Sequence, residues 1–192
     1  MSKVLKIMKK IILLFSLFFT NIAMSIEISP YKVLEKISDN VEVREYKKII
    51  LATANISNNE EGNSAFRSLF KFISGENDQK QEIKMTAPVF REEIDNNMSM
   101  SFVMPEKFNE QNLPKPNNPK IKINLIKNQK FIAIRFSGFA SDSNFNDHRE
   151  ILEYIIDDRK ISADLGNPIR AYYNQPWSLP FLKRNEILFK IN

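Results

Sequence analysis

This chain offers few starting points for chemistry. One histidine, His148, and no cysteine occur among its 192 residues. A thiolate nucleophile, a thiolate metal site, a disulfide and covalent heme attachment are therefore excluded, as is a metal site built from several histidines. A Ser-His-Asp triad has one candidate base. Glu186, Tyr172 and His148 can be assembled on paper into an acid–base set, but no spacing demands it, and the expectation is a protein that is not an enzyme. The stretch IKMTAPVF, Ile83 to Phe90, is β-prone yet carries Thr86 in its middle and Pro88 near its end. Thr86 has no base beside it in sequence. An edge or bulged strand is expected, with Met85, Ala87 and Val89 on one side.

A second stretch is more pointed. QPWSLPF, Gln175 to Phe181, sets the sole tryptophan between Pro176 and Pro180. A stiff, apolar loop either packs over the end of a barrel or covers a ligand or partner. In KRNE, which follows, Arg184 and Glu186 stand two apart on a strand. They face the same side and read as an ion pair.

The elements that must position these residues begin after a distinct leader. MSKVLKIMKK carries four lysines and no acid, IILLFSLFFT is strongly apolar, and NIAMS offers Ala23 and Ser25 at a small-x-small spacing. Residues 1–25 therefore read as a cleavable signal peptide, too short in its apolar run for an ordinary membrane span. Cleavage is expected after Ser25, with an uncleaved anchor as the alternative, and the location as periplasmic or secreted. The leader removes four lysines from a total of 28 basic and 23 acidic residues. Residues 26–192, read as a single domain, are thus nearly neutral. No basic patch or motif calls for nucleic acid, and membrane contact is expected only through a retained leader. Asn55-Ile-Ser and Asn97-Met-Ser fit glycosylation sequons, which matter only in a glycosylating host.

VEVREY (Val41–Tyr46) alternates like a half-buried strand, and IILATANIS continues it. SAFRSLFKFIS places Phe66, Leu69, Phe70 and Ile73 on one helical face, with Phe72 to the side and Gly75 as the stop. Ile83–Phe90 and Met98–Met104 read as strands, and NLPKPNNPK as a connection. IKINLI and KFIAIRFSG read as two more strands. A helix from SDSNFNDHREILEYIIDD follows, capped by Asp142 or Ser143, with Phe145, His148, Leu152, Ile155 and Ile156 on one face. PIRAYYN and RNEILFKI close the pattern. The order is ββαββ twice, with an offset of about 82 residues placing Phe66 on His148 and Phe70 on Leu152. Such a pair can close into one curved sheet or barrel with a helix on each half.

IKMTAPV, SFVMP, FIAIRFSGFA and YYNQPWSLPFLKRNEILFKI, in this order, resemble the SOUL / heme-binding protein family. The resemblance runs from about Ile28 to Ile191. It implies an α+β fold, a distorted antiparallel β-barrel from a pseudo-duplicated ββαββ unit flanked by two α-helices. It also implies reversible, non-covalent binding of heme or another tetrapyrrole, with no shared iron ligand. Carried onto this chain, the porphyrin face falls to Phe66, Leu69, Phe70 and Ile73 of the first helix and to Trp177, Leu179 and Phe181 of the loop. Arg67, Lys71, Lys183 and Arg184 become candidate propionate partners. Lys183 departs from the pair of arginines common there, and family members of cytosolic type lack a leader. As an iron ligand, His148 competes with its place on a buried helical stripe. Met85, Met98, Met100 and Met104 read as core filler, and Tyr46, Tyr172 and Tyr173 remain formal candidates. The alternative is a binding domain for another planar or amphipathic small molecule, since the effector-binding domains of certain bacterial regulators share the pseudo-repeated barrel.

Overall fold

A computed structural model describes residues 26–56, 63–94 and 97–192. The expected leader at 1–25 and the polar turn at 57–62 lie outside the described residues. The elements are β1 (Glu27–Ile28), β2 (Lys32–Lys36), β3 (Val41–Ile56), α1 (Asn63–Ile73), β4 (Thr86–Ala87), β5 (Val89–Ile94), β6 (Asn97–Val103), β7 (Ile121–Phe136), α2 (Asp142–Asp158), β8 (Ile169–Tyr172), a 3₁₀ turn (Pro180–Leu182) and β9 (Asn185–Lys190).

The chain adopts the expected α+β architecture. Six antiparallel strands close a barrel in the order β3-β6-β5-β8-β9-β7, with β7 returning to β3 and β2 added outside β3. The repeat is visible in the pairing. β3 pairs β7 and β5 pairs β8, while β6 bridges β3 to β5 and β9 bridges β7 to β8. Within the barrel each half contributes one long strand before its helix and two strands after it, with β2 ahead of β3 in the first half. VEVREY and IILATANIS merge into β3, and IKINLI and KFIAIRFSG merge into β7. The reason is mutual: β3 and β7 pair from Val41↔Ile134 to Ala54↔Ile121, so each ladder carries the other past its polar middle.

At that middle the strands exchange faces. Tyr46 lies inside the barrel, but so do Ile49 and Leu51, which have the opposite parity. The switch falls at the exposed Lys47 and Lys48, opposite Asn128 with φ 48°. One cluster, drawn from all six barrel strands, fills the barrel. A second lies between α1 and the outer faces of β3, β6 and early β7. A third lies between α2 and β7 with β9. β3 from Ile49 to Ala54 and β7 from Phe131 to Ile134 are thus covered on both faces. In VEVREY, Val41, Arg44 and Tyr46 are buried and the rest partly covered, so it is not the one-sided strand its alternation indicates.

Pro88 interrupts IKMTAPVF into β4 and β5, since it has no N–H to give a ladder. Ala87 faces the barrel, whereas Met85 and Val89 pack toward α1. The three therefore do not share a side. Thr86 is buried, and its hydroxyl donates to the Val103 carbonyl at 2.6 Å. Helix α1 ends as expected at Gly75, with φ 106°. Gly75 N–H donates to Phe72 and Glu76 N–H to Lys71, the paired bonds of a Schellman ending. Helix α2 begins one residue earlier than expected. Ser141 is its cap, in extended backbone, with its hydroxyl accepting from Asn144 N–H.

Candidate functional site

Helix α1 carries more apolar surface than the sheet beneath it covers. Ala65, Leu69, Phe72 and Ile73 form the buried stripe. Phe66 and Phe70 are 41 % and 51 % exposed, stacked on each other at 6.0 Å and 14°. Phe66 also meets buried Phe102 in a T-shaped contact at 5.5 Å. Leu69 and Ile73, expected at a ligand face, are sealed in the core, and Phe72, expected at the side, joins them. The repeat explains the difference. Leu152 and Ile156, buried in α2, hold the places of Leu69 and Ile73 in α1, a spacing of 83 residues instead of 82. One residue turns a helix by about 100°, enough to swing Phe66 and Phe70 outward.

The loop after β8 has the same character. Trp177 is 77 % exposed, Phe181 70 %, Leu182 64 % and Leu179 56 %, and Phe139, from the turn after β7, is 69 % exposed. The two segments are tied where Gly138 N–H donates to the Pro180 carbonyl at 2.9 Å. Lys183 Nζ folds back onto the Pro176 carbonyl at 2.9 Å, and Arg184 N–H donates to Asn174 Oδ1 at 2.6 Å. The loop is therefore held in shape while its large side chains face solvent. Leu182 and Phe139 are absent from the sequence-based site. Leu182 adjoins Phe181, and only the tie to Gly138 brings Phe139 beside them.

Barrel register relates the helix to the loop. Phe102, under Phe66, pairs with Val89, and Val89 pairs with Tyr172, the last residue before the loop. Phe66 thus stands at the same end of the barrel as the loop's root, across two strand spacings of about 4.8 Å each. Arg67 and Lys71 lie exposed on α1 nearby, Lys71 in an exposed pair with Glu76 at 3.6 Å.

Arg184 is placed otherwise than expected. Its guanidinium turns into the barrel mouth, donating to Glu186 Oε1 at 2.8 Å and to the Tyr31 hydroxyl at 2.9 Å, and lying 3.8 Å over the Tyr173 ring. Its Nε and Nη2 are thus spent inside the protein, which makes it a structural cation and not a dedicated propionate partner. Glu186 is nearly fully buried and also accepts from Arg44 and from the Tyr173 hydroxyl at 3.0 Å. Arg44 is fully buried and lies 4.2 Å over Tyr31. Burial holds the Tyr46 phenol up at about 12, against the opposing pull of Arg44, and lifts Tyr173 above its ordinary value. Sequence reasoning found the Arg184–Glu186 pair and missed Arg44 and Tyr31. Their one signal was an arginine in a strand whose two faces are both covered.

His148 is half-buried. Its Nδ1 lies 2.8 Å from the Asn144 carbonyl and its ring stacks on Phe136 at 4.0 Å, the packing position its helical stripe implied. Met85, Met98, Met100 and Met104 all pack in the α1 cluster. Among the described residues no group of three or more His, Cys, Asp or Glu stands together as a metal site. A cavity of about 270 Å³ lies under the N-terminal strand, lined by Ser29, Lys48, Thr86, Met104, Lys107 and Phe108 among others. None of the sequence-predicted site residues lines it.

A family model described as SOUL heme-binding protein matches residues 26–190. No curated protein matches the chain. Solved structures share the fold at low identity. An uncharacterized conserved protein from Listeria innocua has TM-score 0.62 at 9% identity, over 80% of this chain and 92% of that one. A hydrolase from Listeria innocua has TM-score 0.59 at 10% identity, with the same two coverages. The EcmrR C-terminal domain has TM-score 0.56 at 16% identity, over 84% of this chain and 98% of that one.

Proposed function

The chain belongs to the SOUL heme-binding protein family, and on that premise we propose that it binds a heme or related tetrapyrrole non-covalently, outside the sealed barrel. The observation that carries this reading is the pairing of two exposed apolar features at one barrel end: the Phe66–Phe70 stack and the braced Trp177–Leu182 loop. Phe66, Phe70, Trp177, Leu179 and Phe181 would take the ring face. Arg67, Lys71 and Lys183 would meet its carboxylates. Bound heme supplies a redox-active iron.

Burying roughly 300 Å² of apolar protein surface at about 25 cal/mol/Å² gives on the order of 7 kcal/mol before association costs. Burial of the ring's own faces adds to that, so low-micromolar binding is within reach without strong metal ligation. The role is that of a carrier, buffer or sensor in the periplasm or outside the cell, reached through the leader at 1–25.

A binding protein is proposed, not an enzyme. The residues an acid–base reading would use have other occupations. Both Glu186 oxygens are taken by guanidinium groups, Tyr172 packs on Phe145 at 5.2 Å, and His148 stacks on Phe136. The same network disfavours a barrel-interior site for a cationic effector, because the carboxylate that would attract one is already paired. The test is titration of the 26–192 chain with hemin. A saturable Soret shift at low micromolar hemin supports the reading. Free-hemin behaviour up to tens of micromolar removes it.

A further inference from the structure

We propose that the Trp177 tip seats this domain on the surface of a lipid bilayer. Trp177, Leu179, Phe181, Leu182 and Phe139 are each more than half exposed. Together they leave open on the order of 600 Å² of apolar surface, at the upper end of what a typical monomer tolerates. The tetrapyrrole reading has no use for Phe139 and Leu182.

Composition and position favour lipid as the occupant. From Asn174 to Lys183 there is one lysine and no acid, and Ser137 to Ala140 carries no charge. Tryptophan, phenylalanine and leucine beside a lone cation are the residues that settle at headgroup depth. The loop is already braced by Gly138, Asn174 and Pro176, so little ordering accompanies its insertion.

The direction of the chain points the same way. The described chain starts at Ile26, and Ile28 pairs with Ala87, two residues before the Val89 that pairs with Tyr172. Tyr31 accepts from Arg184 at the root of the loop. Ile26, to which the 25 preceding residues with the apolar run Ile11–Thr20 are joined, therefore lies at the barrel end that carries the tip. If the leader is retained, a bilayer holding that run would face the barrel end that carries Trp177. Exposed Ile28 lies at the same end.

Every described element lies within 26–192 and the family model matches residues 26–190, so the 26–192 chain is the piece used. Trp177 is the sole tryptophan, so its emission reports the tip directly. Tetrapyrrole-free protein is mixed with vesicles of phosphatidylcholine, or of phosphatidylcholine and phosphatidylglycerol in equal parts. Three results are expected: a blue shift, quenching by lipids brominated high in the acyl chain, and co-sedimentation. The double substitution Phe181→Glu, Leu182→Glu, at exposed positions, should lower partitioning by about tenfold or more. Unchanged emission with protein left in the supernatant overturns the proposal. So does co-sedimentation with unquenched Trp177, which places contact elsewhere, and a lipid-free blue shift that grows with protein concentration, which makes a second copy the occupant. No hemin is present, so failure here is separate from failure of the Soret titration.

Discussion

Arg44, fully buried near the start of β3, meets Glu186 near the start of β9, 142 residues later, inside the barrel mouth. Tyr173 donates to the same Glu186 oxygen as Arg44, and Arg184 holds the other oxygen. The last strand is thereby locked to the first long one at the end where the Trp177 loop is rooted, so the network braces the candidate site without entering it.

Glu186→Gln leaves Arg184 without its carboxylate and fully buried Arg44 with only the longer contact to Glu42 at 3.5 Å. A loss of about 3–5 kcal/mol is expected by denaturant unfolding, because desolvation of the unpaired charge is no longer offset. Adding Arg44→Met should restore a large part of it. If the double variant is as unstable as the sum of the singles, the pair is not coupled.

Stability and ligand binding should separate along α1. Leu69→Ala opens a cavity in the core and should cost about 2–5 kcal/mol. Phe70→Ala removes an exposed ring and should change stability by less than about 1 kcal/mol while weakening hemin binding. Trp177→Ala should weaken hemin binding more than His148→Ala. Soret titrations of the four variants check this, and the reverse order for the last two would move the site to α2.

Burial holds Tyr46's phenol up at about 12 in the fold, against about 10 in an unfolded chain. The folded state therefore keeps this proton where the unfolded state has lost it. Stability from this group is full below pH 10 and is lost as pH rises toward 12. Tyr46→Phe should differ little from the parent at pH 8 and become progressively the more stable between pH 10 and 12, measured by thermal or denaturant melts.

Ser141, not Ser143, caps α2. Ser141→Ala should lower stability by about 1 kcal/mol, and Ser143→Ala should be near neutral. Equal effects would mean that the hydroxyl of Ser141 is not the group closing the helix.

Much of this arrangement was legible beforehand. The two helices, the alternating strands, the Gly75 stop and the Arg184–Glu186 pair all follow from local spacing, because each needs only neighbours within a few residues. The stiff Trp177 loop was legible for the same reason: two prolines fix it wherever it lies. Local spacing could not say which arc of α1 meets the sheet. Phe66, Leu69, Phe70, Phe72 and Ile73 satisfy more than one helical stripe, and the stripe containing Ala65 lies buried against β3 and β6.

Residue order alone thus determined which segments become strands or helices and which loop stays rigid, since those depend on backbone propensity and local apolar period. Tertiary structure decided the rest. Closing β3 against β7 joined four predicted strands into two and swapped their faces at Lys47 and Asn128. Closure also brought Arg44 of β3 onto Glu186 of β9 and left Phe66, Phe70 and Trp177 outside. Burial is a property of what lies across from a side chain, and in a closed barrel that neighbour comes from tens of residues away.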